Sequence, residues 1–262
     1  MATVKDILEF LGTIAPEYMK EDWDRVGLNC GRLEAPVHKL LVALDPFGHV
    51  CEEAKELGAD LLVTHHALIW DPGFITDGDP TGERTLFLIE NGIAHINAHT
   101  NLDCAPGGVN DVLAQVLGLS DVQVIDPAGE DENGTPFGLL RCGYVEEAAL
   151  EDFLAHVKAR LGTPVLRYAR GSGQVCKVAV GGGACAGAMH LAMAAGCDTF
   201  VTADVKYNQF WDARDYGLNL IDAGHFYTEN PVVAVLAEAI ADAFPEIQVK
   251  ISESHHDCME FA

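Results

Sequence analysis

The chain is expected to fold as an α/β protein built from two related α/β domains with mainly parallel or mixed sheets. Three observations point there. Short apolar runs that read as buried strands alternate with helical stretches along the chain. The segment Gly58-Ala-Asp-Leu-Leu-Val-Thr-His-His66 shares Gly, Asp, Val and Thr at matching places with Gly196-Cys-Asp-Thr-Phe-Val-Thr-Ala-Asp204, as a diverged internal copy would. Each copy is followed by a histidine and a carboxylate four residues apart, His99 with Asp103 and His225 with Glu229. The stretch from Asp126 to Pro136, rich in Asp, Glu, Gly and Pro, serves as the linker. It divides an N-terminal domain over 1–125 from a C-terminal domain over 126–262.

Taken in order, Val4, Ile7, Leu8, Leu11 and Ile14 share one face of an opening helix. Lys39 to Leu44 reads as a buried strand, Val50 to Leu57 as a helix and Asp60 to Thr64 as a second strand. A helix from Thr81 to Asn91 ends before Gly92, which suits the left-handed position after a helix, and Ile93 to Ala98 returns as a strand. The rhythm repeats with strand Val175 to Val180, turn Gly181-Gly-Gly183, helix Ala184 to Ala195 and strand Thr199 to Thr202. Helix Asn208 to Tyr216, strand Leu218 to Asp222, helix Pro231 to Ala243 and a last strand near Ile247 to Ile251 follow. Residues 137–174 carry a strand, a helix and a strand that match neither copy, so the duplication is partial.

Composition narrows the function classes. The chain has 262 residues, 49% of them hydrophobic, with 16 Lys+Arg against 40 Asp+Glu for a formal net charge of −24. Such a charge repels phosphate backbones and anionic lipid, which argues against nucleic acid and membrane as partners. No apolar run approaches the ~20 residues of a membrane span, and no charged-then-apolar leader opens the sequence. A cytoplasmic location is expected. The eight cysteines form no Cys-x-x-Cys pair and read as small buried hydrophobes. Cys104, beside Asp103, could alternatively supply a soft ligand.

Chemistry concentrates in the paired segments. His65-His66 leaves a buried strand, at the end of an α/β sheet where ligands bind. Adjacent residues leaving a strand point in different directions, so the pair could serve two ions. Imidazole and carboxylate suit zinc, iron, manganese, cobalt or nickel, and a carboxylate can bridge two cations. Two halves folding against each other would bring these donors together at their junction, although the same residues could simply cap helices and satisfy loops. His255-His256, in a polar tail, reads as a surface pair. Gly181-Gly-Gly183 reads as a tight turn, with phosphate contact as the alternative. No nucleophile elbow or Walker lysine is present.

Trp23-Asp24, Gly27-Leu28, Thr64-His65-His66, His99-Thr-Asn-Leu-Asp103, Gly107-Gly-Val-Asn110, Val201-Thr-Ala-Asp204 and Gly224-His225-Phe-Tyr-Thr-Glu229 occur in the order found in the NIF-three-like family. Its members are often named GTP cyclohydrolase I type 2 homologs. The resemblance runs from Trp23 to Glu229 and is similar to the compact members without an inserted domain. It implies a toroidal homohexamer with a pair of divalent metal ions in each subunit. Carried over by position, the metal ligands are His65, His66, Asp103, His225 and Glu229, with His99 orienting a ligand or shuttling a proton. It further implies a metal-dependent hydrolase acting on a nucleotide or related small heterocycle through a hydroxide shared by the two ions. The competing expectation is a metal-binding, metal-delivery or adaptor hexamer without turnover. The sequence departs from the family pattern at Arg25 (commonly Asn), Ala67 (commonly Pro), Ala203 (commonly Gly) and Asn208 (commonly His). None of these removes a ligand, and the change at 208 bears on substrate chemistry.

Overall fold

The structure, a computed structural model, describes residues 1–71 and 73–262. It is α/β, with two compact units that are not consecutive along the chain. The first comprises Met1–Leu102 and Val233–His256, the second Asp103–Val232 and Asp257–Ala262. These differ from the expected 1–125 and 126–262 because the C-terminal strand returns to the first sheet instead of closing the second. The expected linker is likewise a folded part of the second unit. Gly129–Glu130 pairs with Pro136–Phe137, and the Asp131 carboxylate accepts the Asn133 and Thr135 N–H groups between them.

In the first unit, five strands lie in the order Gly27–Cys30, Ala94–Asn97, Leu61–Thr64, Lys39–Ala43, Gln248–Ile251. The last four run parallel and Gly27–Cys30 runs antiparallel to Ala94–Asn97. Leu61–Thr64 and Ala94–Asn97 are buried at every position, as strands covered on both faces must be. The opening helix Val4–Ile14 starts at a capping box, in which Thr3 and Asp6 satisfy each other's backbone N–H, and buries Val4, Ile7 and Leu11. Helix Gly48–Leu57 ends at left-handed Gly58. Helix Pro80–Glu90 starts on the Asp79 carboxylate and is followed by Gly92 at φ +72°.

In the second unit, six strands lie in the order Ser120–Ile125, Leu140–Ala149, Gln174–Val180, Thr199–Thr202, Asn219–Asp222, Arg167–Ala169. The central three after Leu140–Ala149 are parallel, and the flanking strands are antiparallel. Helices Val109–Val116 and Leu150–Leu161 contribute Leu113, Phe153 and Val157 to a core with Val178, Val201 and Ile221. The helix expected over 184–195 is shorter. A 3-10 turn over Cys185–Ala188 precedes an α-helix over Met189–Ala194, and neither has a side-chain cap. Among the described residues no helix is long and apolar enough to cross a membrane.

The internal copy is visible in hydrogen bonds. Asp60 accepts the backbone N–H groups of His38 and Lys39, and Asp198 accepts those of Cys176 and Lys177. Lys39 reaches the Leu57 carbonyl and Lys177 reaches that of Ala195. The Ala98 N–H donates to the Thr64 carbonyl, as the Ala223 N–H does to that of Thr202. In both units a strand–helix–strand step is therefore locked at the same atoms.

Candidate metal centre

Parallel strands place the chemical side chains at their carboxyl ends, where the backbone leaves the sheet and side chains stop alternating between buried faces. In the first unit Asp45 follows Lys39–Ala43, His65 and His66 follow Leu61–Thr64, and His99 follows Ala94–Asn97. The three imidazole rings cluster, with centroids 4.9 Å apart for His65 and His66, 5.1 Å for His65 and His99, and 5.5 Å for His66 and His99. Each offers a ring nitrogen within 4.8 Å of the others, close enough to hold an ion.

Each ring is also held by its other edge. His65 Nδ1 lies 2.8 Å from the Ala98 carbonyl oxygen, which can only accept, so Nδ1 carries the proton and Nε2 the lone pair. His66 Nδ1 meets the Asp45 carboxylate at 2.6 Å and His99 Nδ1 meets that of Asp24 at 2.9 Å. Asp24 is buried, which favours protonation, but hydrogen bonds from His99 and Thr100 outweigh burial and hold its carboxyl well below the usual range. It is therefore an ionised acceptor that sets the His99 tautomer. Behind the pair, fully buried His95 meets Thr64 Oγ1 through Nε2 at 2.7 Å, and the Thr64 hydroxyl donates to the His66 carbonyl. Burial pushes the His95 pKa down to about 3, so this ring is neutral. Two indoles, Trp70 and Trp23, pack edge-on against His99 with centroids at 4.9 and 5.8 Å, and both stay half-exposed or more.

In the second unit the same rule places Gly181–Gly183 after Gln174–Val180, Asp204 after Thr199–Thr202 and His225 after Asn219–Asp222. Helix His225–Glu229 sets its first and last residues one turn apart on one face. His225 Nδ1 contacts Asp204 at 2.8 Å and His225 Nε2 contacts buried Glu229 at 3.0 Å. With the Nδ1 proton given to Asp204, Nε2 and the Glu229 oxygen face each other as two acceptors. A second proton or a cation between them resolves that conflict. The Glu229 carboxylate also needs Gly183. A Cβ at 183 would stand 2.0 Å from Glu229 Oε1 and 3.0 Å from His225 Nε2, and φ is +61°. Asp103 is buried near the end of the short helix Thr100–Cys104, and its carbonyl accepts from Asn110.

The structure thus brings together His65, His66 and His99 in one unit, and His225 and Glu229 in the other. His99 enters the donor group on the same terms as His65 and His66. Asp45 and Asp24 had no assigned part in the sequence, and Asp204 had no ligand role; all three orient an imidazole. Asp45 could have been found from its place directly after a buried parallel strand. The glycine run is a turn and not a phosphate cradle, since all three N–H groups are spent on Val201, Asn110 and Thr228. His256 is exposed as expected, but His255 is half-buried, with Nδ1 3.4 Å from the Leu44 N–H. Cys104 is buried, and its carbonyl accepts from Arg141.

The grouped side chains could hold a metal ion. Neutral imidazoles held at Nδ1 by an acceptor, beside a buried carboxylate, are the usual arrangement of a histidine metal site. Comparison with known proteins gives the family and the fold. The family model for Duf34/NIF3 (NGG1p interacting factor 3) matches residues 2–258. A Clostridium perfringens protein named GTP cyclohydrolase 1 type 2 homolog is 34% identical over 98% of this chain and 99% of its own length. The fold matches that of a Bacillus cereus protein related to NIF3, with a TM-score of 0.94 at 25% identity, covering 100% of this chain and 99% of the other. It also matches the Staphylococcus aureus protein SA1388, with a TM-score of 0.93 at 28% identity and 99% of each chain covered. The chain belongs to the Duf34/NIF3 family.

Proposed function

We propose that this protein is a metal-dependent hydrolase that carries a pair of divalent ions on His65, His66, Asp103, His225 and Glu229. The observation that carries the reading is the treatment of the imidazoles. His65, His66, His99 and His225 are each held at Nδ1 by a carbonyl or carboxylate, so each keeps its Nε2 lone pair as donor. Purely structural histidines have no need of a common tautomer. A divalent ion bound by such donors supplies Lewis acidity and lowers the pKa of water. The chain's own part is to orient the donors, to contribute carboxylates able to bridge, and to keep His99 in reach of a proton through the Asp24 pair. Trp23 and Trp70 offer exposed aromatic faces beside His99, which suits a nucleotide or related planar heterocycle. The reading includes the homohexamer implied by the sequence resemblance.

Metal analysis of the purified protein and of Asp103→Ala and Glu229→Ala, combined with a turnover screen across nucleotides and phosphoesters, tests this. Wild type should carry a pair of ions per chain and each variant fewer, with loss of turnover. Full metal content in either variant would refute the ligand assignment. Loss of metal in the variants, with no turnover by the loaded wild type, would leave a metal-binding or metal-delivery protein.

A further inference from the structure

Two sequence motifs outside the donor set, Gly107-Gly-Val-Asn110 and Gly181-Gly-Gly183, meet in the second unit. Asn110 is fully buried in the first turn of helix Val109–Val116. Its amide is wholly used. Nδ2 donates to the Asp103 carbonyl at 3.2 Å and to the Leu139 carbonyl at 2.7 Å, and Oδ1 accepts the Gly182 N–H at 2.7 Å. The next N–H of that turn, from Gly183, donates to Thr228 Oγ1 at 3.0 Å. Thr228 immediately precedes Glu229, whose carboxylate rests on Gly183 with no room for even one more carbon. A single side chain therefore ties the main chain at Asp103 to the surface on which the Glu229 carboxylate lies.

We propose that Asn110 is a positioning residue that, through the Gly182-Gly183 turn, fixes the Glu229 carboxylate relative to Asp103 for metal binding. The proposal rests on the reading of Asp103 and Glu229 as ligands. Its physical basis is the lack of slack. Removing the amide leaves one buried carbonyl, one partly buried carbonyl and one buried N–H without this partner, so the turn must shift to find others. Because Gly183 is in van der Waals contact with the carboxylate, a shift of the turn moves Oε1. The segment after Asp103 has a second anchor that the substitution leaves alone. Arg141 binds the Cys104 and Ala105 carbonyls and the Asp111 carboxylate.

The test is titration of metal-free protein with Co2+, read by equilibrium dialysis and by the visible absorption bands, which report ligand geometry independently of activity. Asn110→Ala should bind Co2+ about 10–100-fold more weakly, the usual loss when a group supporting a ligand is removed, and with shifted bands. Gly183→Ala, which leaves the Asn110 hydrogen bonds in place, should shift the bands too and tests the contact of the turn with the carboxylate. Should Asn110→Ala not fold, Asn110→Asp, which keeps an acceptor for the Gly182 N–H and loses both donated bonds, takes its place with the same expected outcome. Val178→Ala, a cavity in the same core, should lower thermal stability while keeping wild-type affinity and bands. Wild-type affinity and bands in Asn110→Ala or in Gly183→Ala overturn the positioning role, provided that Asp103→Asn and Glu229→Gln lose binding. Should those two also bind as wild type, the ligand assignment itself fails and the proposal falls with it.

Discussion

At the scale of single residues, the organising device is an acceptor on Nδ1 of each site histidine. The partners Asp45–His66, Asp24–His99 and Asp204–His225 are 21, 75 and 21 positions apart in sequence. No local spacing signals such pairs; the sheet order creates them. The imidazoles themselves were legible, because His65-His66 and the two histidine–carboxylate steps repeat in matching contexts. His95 shows the opposite case. Nothing in its sequence setting separates it from the site histidines, yet it is fully buried beneath them, with Nδ1 buried and, among the described residues, without a hydrogen-bond partner. Its neutral state has a pH consequence. The unfolded chain protonates this imidazole below its ordinary value of 6.5, whereas burial delays protonation in the folded state to about 3. Between those values the unfolded state binds more protons, so this group lowers stability as pH falls. His95→Gln keeps a donor toward Thr64 without the titration. Urea unfolding of metal-free protein at pH 7 and pH 5 should show a smaller loss in the variant than in wild type. Equal losses would mean that His95 is not held neutral.

At the scale of elements, most of the secondary structure was legible, because local rules decide it. The Asn91-Gly92 stop, the Gly217 stop at φ +76° and the helix Pro231–Ala243 all stand where the sequence places them. The region over 184–195 differs, since a run of small residues with Gly187 and no capping side chain holds a 3-10 turn before its α-helix. The repeat was read from four shared residues, and the structure supplies a physical reason for one of them. Asp60 and Asp198 each gather the two N–H groups just before the first residue of the neighbouring strand that pairs in parallel, Leu40 and Val178, a local need that both copies have kept. Asp60→Ala and Asp198→Ala should therefore each cost about 1–3 kcal/mol, the range for leaving partly buried donors unsatisfied. Chemical denaturation would measure this, and a cost near zero for either would show that water replaces the carboxylate there.

At the scale of the whole molecule, the sequence reading of two consecutive halves gives way to an interleaved chain. Strand Gln248–Ile251 pairs in parallel with Lys39–Ala43, and Ser252, Glu253 and Ser254 bind Glu53 just beyond it. A chain cut after Glu246 loses an edge strand of the first unit together with this anchor. Its thermal unfolding should begin at lower temperature than in the full chain, with the early loss confined to amide exchange in the first unit. Unchanged protection there would show that the last strand adds nothing to that sheet. By itself the sequence determined the α/β class and pointed to the partial duplication and to the histidines and carboxylates proposed as ligands. Those depend on hydrophobic periodicity, on helix and turn chemistry and on local motifs, all of which act over a few residues. Tertiary structure alone decided which unit owns the last strand, which carboxylates orient which imidazoles, and why Gly183 must lack a side chain. Each of those depends on strands far apart in the chain becoming neighbours in a sheet, and no local pattern records that pairing.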